Sequence, residues 1–134
     1  MEKIEHIGIA VSDLEASNKL FAALFGQAHY KMEEVAAEGV TTSFFKMGES
    51  KIELLEATNP DSPIAKYIAK KGEGIHHIAY LVKDIKAEMR RLANEGFTLL
   101  SDEPKLGADN KLVCFLHPKT TNGVLIELCQ EREI

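Results

Sequence analysis

Two histidines and two glutamates recur in this 134-residue chain at matching places of a repeated pattern. His6 opens His-Ile-Gly-Ile-Ala-Val-Ser-Asp at residues 6–13, and His77 opens His-Ile-Ala-Tyr-Leu-Val-Lys-Asp at 77–84. Each copy later reaches a glutamate set among aliphatic residues: Glu53 in Ile52-Glu53-Leu54-Leu55, and Glu127 in Ile126-Glu127-Leu128. The histidines lie 71 residues apart and the glutamates 74. Two imidazoles and two carboxylates from a duplicated module are the donor count of a divalent metal site built across a pseudo-twofold axis. Such donors suit cobalt, manganese, nickel, zinc or magnesium. The lack of thiolates among them argues against a closed structural zinc site. Four protein donors on an octahedral ion leave two positions for water or a bidentate substrate, the arrangement of Lewis-acid catalysis by chelation.

Each of these residues has a plainer reading. A strand glutamate can point to solvent, and a lone strand histidine is more often structural than ligating. Recurrence at equivalent positions favours ligands, as does a small residue two places after each histidine (Gly8 and Ala79). His76 has no counterpart histidine in the first copy and reads as packing or support. His29 reads as surface. His117 starts the His117-Pro118-Lys119 turn and fits loop architecture or a substrate contact better than metal ligation. There is no Gly-rich phosphate loop, no dinucleotide fingerprint and no Ser-His-Asp arrangement.

The elements that must carry these residues follow the same plan twice. Residues 4–11 alternate as a strand, with Ile7, Ile9 and Val11 on one face and His6, Gly8 and Ala10 on the other. Ser12 and Glu15 have capping-box spacing. Leu14, Leu20, Phe21, Leu24 and Phe25 read as the apolar stripe of a helix that stops at Gly26. Strands are expected over 28–35, 40–47 and 50–56. In the second copy a strand at 76–82 leads to Asp84 as a cap and to a helix through Ile85, Met89 and Leu92. Further strands are expected near 97–101, 111–117 and 123–130, with a long polar loop at 102–110. A short helix over Ile64–Ala69 connects the halves. The expected fold class is α+β: two tandem βαβββ modules (1–56 and 75–134, connector 57–74) packed as one domain around a curved mixed sheet, since neither copy buries its sheet alone.

Bulk properties bound the partners. Apolar residues make up 45% and charged residues 28%, as in ordinary soluble domains, and the net charge is -5. An acidic chain argues against nucleic acid or an anionic membrane as partner. No apolar stretch has the length of a membrane span. Cys114 and Cys129 sit in apolar runs and read as buried free thiols of a reducing compartment, so the expected setting is the cytoplasm.

The paired His/Glu pattern on a duplicated βαβββ plan resembles the vicinal-oxygen-chelate superfamily, which includes glyoxalase I and the extradiol dioxygenases. Within it, the chain is most similar to the branch that epimerises a methylmalonyl thioester of coenzyme A. The motifs that carry the likeness are His6-Ile7-Gly8-Ile9-Ala10-Val11, Lys51-Ile52-Glu53-Leu54-Leu55-Glu56 and Gly74-Ile75-His76-His77-Ile78-Ala79. The tail adds Asp102-Glu103-Pro104-Lys105-Leu106-Gly107, Phe115-Leu116-His117-Pro118-Lys119 and Gly123-Val124-Leu125-Ile126-Glu127-Leu128.

The resemblance implies that His6, Glu53, His77 and Glu127 hold one divalent metal ion. It implies a coenzyme A thioester substrate, inverted through a metal-stabilised enolate, with Glu127 and Glu53 as acid/base candidates. Lys105 and Lys119 are candidates for the coenzyme A phosphates, or else solvated lysines. A homodimer is common in similar proteins. Some members carry a carboxylate on the third strand of the first module; here Thr42 stands nearest, which leaves one base unassigned. The competing readings are a glyoxalase I-like lyase acting on a glutathione hemithioacetal and a metal-free ligand-sequestering protein.

Overall fold

The computed structural model describes residues 1–133. It forms two compact units that do not follow the repeat boundary: one is Ile7–His76, the other Met1–His6 with His77–Ile134. The first strand, β1 (Lys3–Ala10), gives its residues up to His6 to the second of these and the rest to the first.

The unit Ile7–His76 carries a helix, α1 (Leu14–Phe25), and an antiparallel meander of β2 (Lys31–Val35), β3 (Val40–Met47) and β4 (Ser50–Ala57). A second helix, α2 (Pro63–Lys71), follows, with Ser62 as its cap and Pro63 in its first turn. The cap of α1 is Asp13, whose Oδ1 accepts the Ala16 N–H at 3.1 Å. The expected capping box on Ser12 does not form, because the Ser12 N–H instead donates to Glu73 Oε2 at 2.8 Å. Gly26 closes α1 in the left-handed region at φ 74°, which costs a glycine little.

Strand alternation divides β3 and β4 into two faces. Phe45 and Leu54 bury fully against Leu14, with Phe21 and Phe25 of α1 packed on them. Leu20 and Leu24, assigned to that stripe from sequence, are instead 66% and 71% exposed. The register of the helix turns Asn18 inward, where its Oδ1 accepts the Ser43 hydroxyl at 2.6 Å. On the other face lie Val40, Thr42, Phe44, Glu53 and Leu55. Ile64 of α2 packs with Val40 and Leu55 at one end of it.

The second unit contains β5 (Gly74–Leu81) from His77 onward, α3 (Ile85–Asn94), β6 (Lys105–Leu106), β7 (Lys111–Leu116) and β8 (Ile126–Glu131). β5 runs parallel to β8, while β8 with β7 and β7 with β6 are antiparallel. The strand pairing is therefore mixed, as an α+β fold with a crossover requires. Alternation again makes two faces. Cys114, Leu116 and Leu128 pack under Ile85, Met89 and Leu92 of α3. The opposite face presents His77, Ala79 and Leu81 from β5, Glu127 and Cys129 from β8, and Lys111, Val113 and Phe115 from β7.

The stretch 97–101 is not a strand. It makes one isolated bridge, Leu99 to Leu116. The outer edge of β7 is divided, because β6, inside the loop expected at 102–110, takes its other end through Lys105–Val113 and Leu106–Leu112. No helix of the described residues is long and apolar enough to cross a membrane.

Candidate metal centre

His6, His77 and Glu127 meet in the unit Met1–His6 with His77–Ile134. His6 Nε2 lies 3.0 Å from His77 Nε2. Glu127 Oε1 lies 3.0 Å from His77 Nε2 and 3.5 Å from His6 Nε2. All three are buried, at 5–6% exposure, although each is polar. Register explains how Glu127 arrives there. It stands beside Ala79 on β5 and opposite Phe115 on β7. Ala79, fully buried, has no bulk to block the carboxylate. The Phe115 ring lies edge-on to His77 at 5.9 Å and walls that side with an apolar surface.

The donor set suits a divalent cation on two counts. Two ring nitrogens 3.0 Å apart need either a proton or a cation between them, since two lone pairs at that distance repel. Two ligands each about 2.1 Å from one ion are separated by about 3.0 Å at octahedral and about 3.4 Å at tetrahedral angles. The three edges of this triangle span 3.0 to 3.5 Å.

Electrostatics agree. Burial pushes the Glu127 carboxyl upward, but the His6 and His77 imidazoles beside it outweigh that and hold it well below the usual carboxylate range. The group is thus an anion in a buried site, stabilised by the imidazoles beside it.

Glu53 is buried at 4% exposure on β4, opposite Phe44, in the unit Ile7–His76. Thr42 shares its face, at the next same-face position of the ladder, fully buried and with Oγ1 lacking a hydrogen-bond partner among the described residues. Lys105 on β6 and Lys119 in the turn after β7 are exposed. His117 is architectural: its Nδ1 accepts the Lys119 N–H at 3.0 Å. The His76 ring stacks edge-on to Tyr67 at 4.9 Å, and His29 rests against Phe45 at 5.9 Å.

Sequence reasoning missed Glu5 and Lys111. Both are buried, and Glu5 Oε1 lies 2.7 Å from His6 Nδ1. Adjacent strand residues nominally face opposite ways, which gives Glu5 no role by alternation. Its contact is made to the ring nitrogen nearer the backbone. The available signal was an acid directly beside His6 in a strand rich in isoleucine.

The sequence profile of the glyoxalase/bleomycin resistance protein/dioxygenase superfamily matches residues 5–115, and the chain belongs to that superfamily. More narrowly, it is 43% identical over 130 residues to the ethylmalonyl-CoA/methylmalonyl-CoA epimerase of Cereibacter sphaeroides, covering 96% of this chain and 97% of that protein. It is 39% identical to the mitochondrial methylmalonyl-CoA epimerase of Homo sapiens, covering 96% of this chain and 73% of that one. A variant of the Streptomyces coelicolor methylmalonyl-CoA epimerase, solved in complex with 2-nitronate-propionyl-CoA, superposes with a TM-score of 0.95. It is 36% identical and covers 100% of this chain and 97% of that one. Relatives of this kind over nearly the full length place the chain among the epimerases of the superfamily.

Proposed function

We propose that this chain epimerises methylmalonyl-CoA, removing and returning the proton on the carbon between the free carboxylate and the thioester. The observation that carries the reading is the buried triangle of His6, His77 and Glu127, with edges of 3.0–3.5 Å, in a chain whose relatives include methylmalonyl-CoA epimerases. In this reading Glu53 completes the donor set. These four residues would hold a divalent cation, which when bound would supply Lewis-acid stabilisation of the negative charge that develops on the thioester oxygen.

The remaining work falls to the side chains. Proton removal and return on opposite faces of the enolate need a group near each. Glu127 serves one face and Glu53 the other. Thr42, whose buried hydroxyl shares the Glu53 face and lacks a partner among the described residues, is suited to hold a water or a substrate oxygen there. Phe115 keeps bulk water from the anion. The exposed Lys105 and Lys119 are proposed contacts for the coenzyme A phosphates. The molecule acts as a cytosolic homodimer in this proposal, its two buried thiols staying reduced.

The test is solvent deuterium uptake at the substrate carbon, followed by NMR with cobalt-reconstituted protein. Glu127→Gln should slow exchange by roughly 10²–10⁴-fold, and unchanged exchange would reject the role. In the same assay a Lys105→Ala/Lys119→Ala double variant should raise KM and spare kcat. Parallel turnover of the methylglyoxal–glutathione adduct but not of methylmalonyl-CoA would replace this reading with the lyase.

A further inference from the structure

Behind His6 runs a line of buried charge that the reaction itself does not use. Glu5, 3% exposed, brings Oε1 to 2.7 Å from His6 Nδ1. Its other oxygen, Oε2, lies 4.0 Å from Lys111 Nζ. Lys111 is 6% exposed, and its Nζ donates to Asp109 Oδ2 at 3.2 Å. A buried lysine is costly unless carboxylates compensate it, and here two flank it.

The loop before β7 is shaped to deliver this lysine. Asp109 and Asn110 both sit in the left-handed region, at φ 59° and 55°, a conformation that aspartate and asparagine tolerate better than other non-glycine residues and that turns the chain sharply before β7. Arg132 braces the turn, its Nη1 donating to Asn110 Oδ1 at 3.2 Å and its N–H to the Asn110 carbonyl at 3.3 Å. From the other side, the Gly107 N–H donates to the Lys111 carbonyl at 2.8 Å. Lys111 then enters β7 on the same face as Val113 and Phe115, the face that holds the imidazoles.

The chemistry of imidazole says what the line does. A neutral ring carries its proton on one nitrogen and its lone pair on the other. An acceptor fixed at Nδ1 places the proton there and turns a bare Nε2 toward His77 and Glu127. We propose that Glu5, oriented by Lys111, is a positioning residue that sets the tautomer of His6 and thereby makes its Nε2 a cation ligand rather than a hydrogen-bond donor. The proposal rests on the metal-centre reading above. The second copy has His76 where Glu5 stands, so this device is built into the first histidine alone.

The experiment records the tautomer by long-range 1H–15N NMR of histidine-labelled, metal-free protein at pH 8, and titrates cobalt into the same samples. In the parent protein His6 should be protonated on Nδ1 and bare at Nε2. Glu5→Leu should abolish that signature and weaken cobalt binding by about 10–100-fold. Glu5→Gln retains an acceptor oxygen and should partly rescue both. Lys111→Met keeps the aliphatic stem and should give a mixed tautomer with weaker cobalt binding. If Glu5→Leu does not fold, Glu5→Gln and Lys111→Met decide. A proton on His6 Nε2 in the parent protein, or variants matching the parent in tautomer and affinity, would overturn the proposal. A parent protein that binds no cobalt overturns the metal-centre reading instead, while the metal-free tautomer still decides this one.

Discussion

The most discriminating perturbation is a small one, Ala79→Val. Ala79 is fully buried, stands beside Glu127 in the β5–β8 register, and packs against Val113 and Cys129. Two methyl groups added at this fully buried position should crowd those neighbours. Overpacking of this kind costs about 1–3 kcal/mol. For a chain of 134 residues, an unfolding entropy of about 2.1 cal/mol/K per residue makes each kcal/mol about 3.6 °C, so Tm should fall by roughly 4–11 °C. The nearest movable group is the Glu127 side chain, whose Oε1 now sits 3.0 Å from His77 Nε2. A shift of about 1 Å takes that oxygen out of reach of an ion that prefers contacts of about 2.1 Å. Cobalt affinity should then weaken by about 10–100-fold, or about 1.4–2.7 kcal/mol. Leu128→Ala is the control, since Leu128 is the next residue of the same strand but packs under α3. It should lose about 2–5 kcal/mol of stability and leave the cobalt affinity of the folded protein unchanged. Calorimetric melting and cobalt titration by visible absorption read both quantities. Ala79→Val losing stability while binding cobalt as the parent does would refute the claim that this register seats the carboxylate.

Two further outcomes follow from the titrating groups. In metal-free protein the Glu127 carboxyl is held below its usual range against the pull of burial. Its stabilising contribution is therefore complete above the unfolded value of about 4.3 and lost as pH falls from there toward the depressed folded value. Urea midpoints of the parent should drop more steeply below about pH 5 than those of Glu127→Gln, and superimposable profiles would count against the assignment. Burial pushes the Cys114 thiol upward, despite Ser101 and Lys105 nearby. Native protein should leave Cys114 unalkylated by iodoacetamide at pH 7.5 and label it only after denaturation; prompt native labelling, read by mass spectrometry, would contradict the placement.

Particular residues mark where sequence was enough. The apolar period of Ile85, Met89 and Leu92 and the cap at Asp84 placed α3 correctly, and all three apolar residues are buried. The strand expected at 40–47 is β3. Periodicity failed where two partners compete. Ser12 could cap a helix, but Glu73 engages its backbone N–H. Leu20 and Leu24 fit an apolar stripe in spacing, yet the helix turns Asn18 inward to meet Ser43. Residues 97–101 are expected as a strand, but the edge of β7 that would receive them is shared with β6.

What the chain declares on its own is the repetition of His and Glu in two similar frames, because duplication is written in residue order and the two-residue strand period assigns each side chain a face. Folding alone decided the convergence of His6, His77 and Glu127 within 3.5 Å, and the selection of Glu5 and Lys111 to stand behind them. Those contacts join residues as far as 121 positions apart, as between His6 and Glu127. No local pattern encodes a distance between strands that meet only through the sheet register.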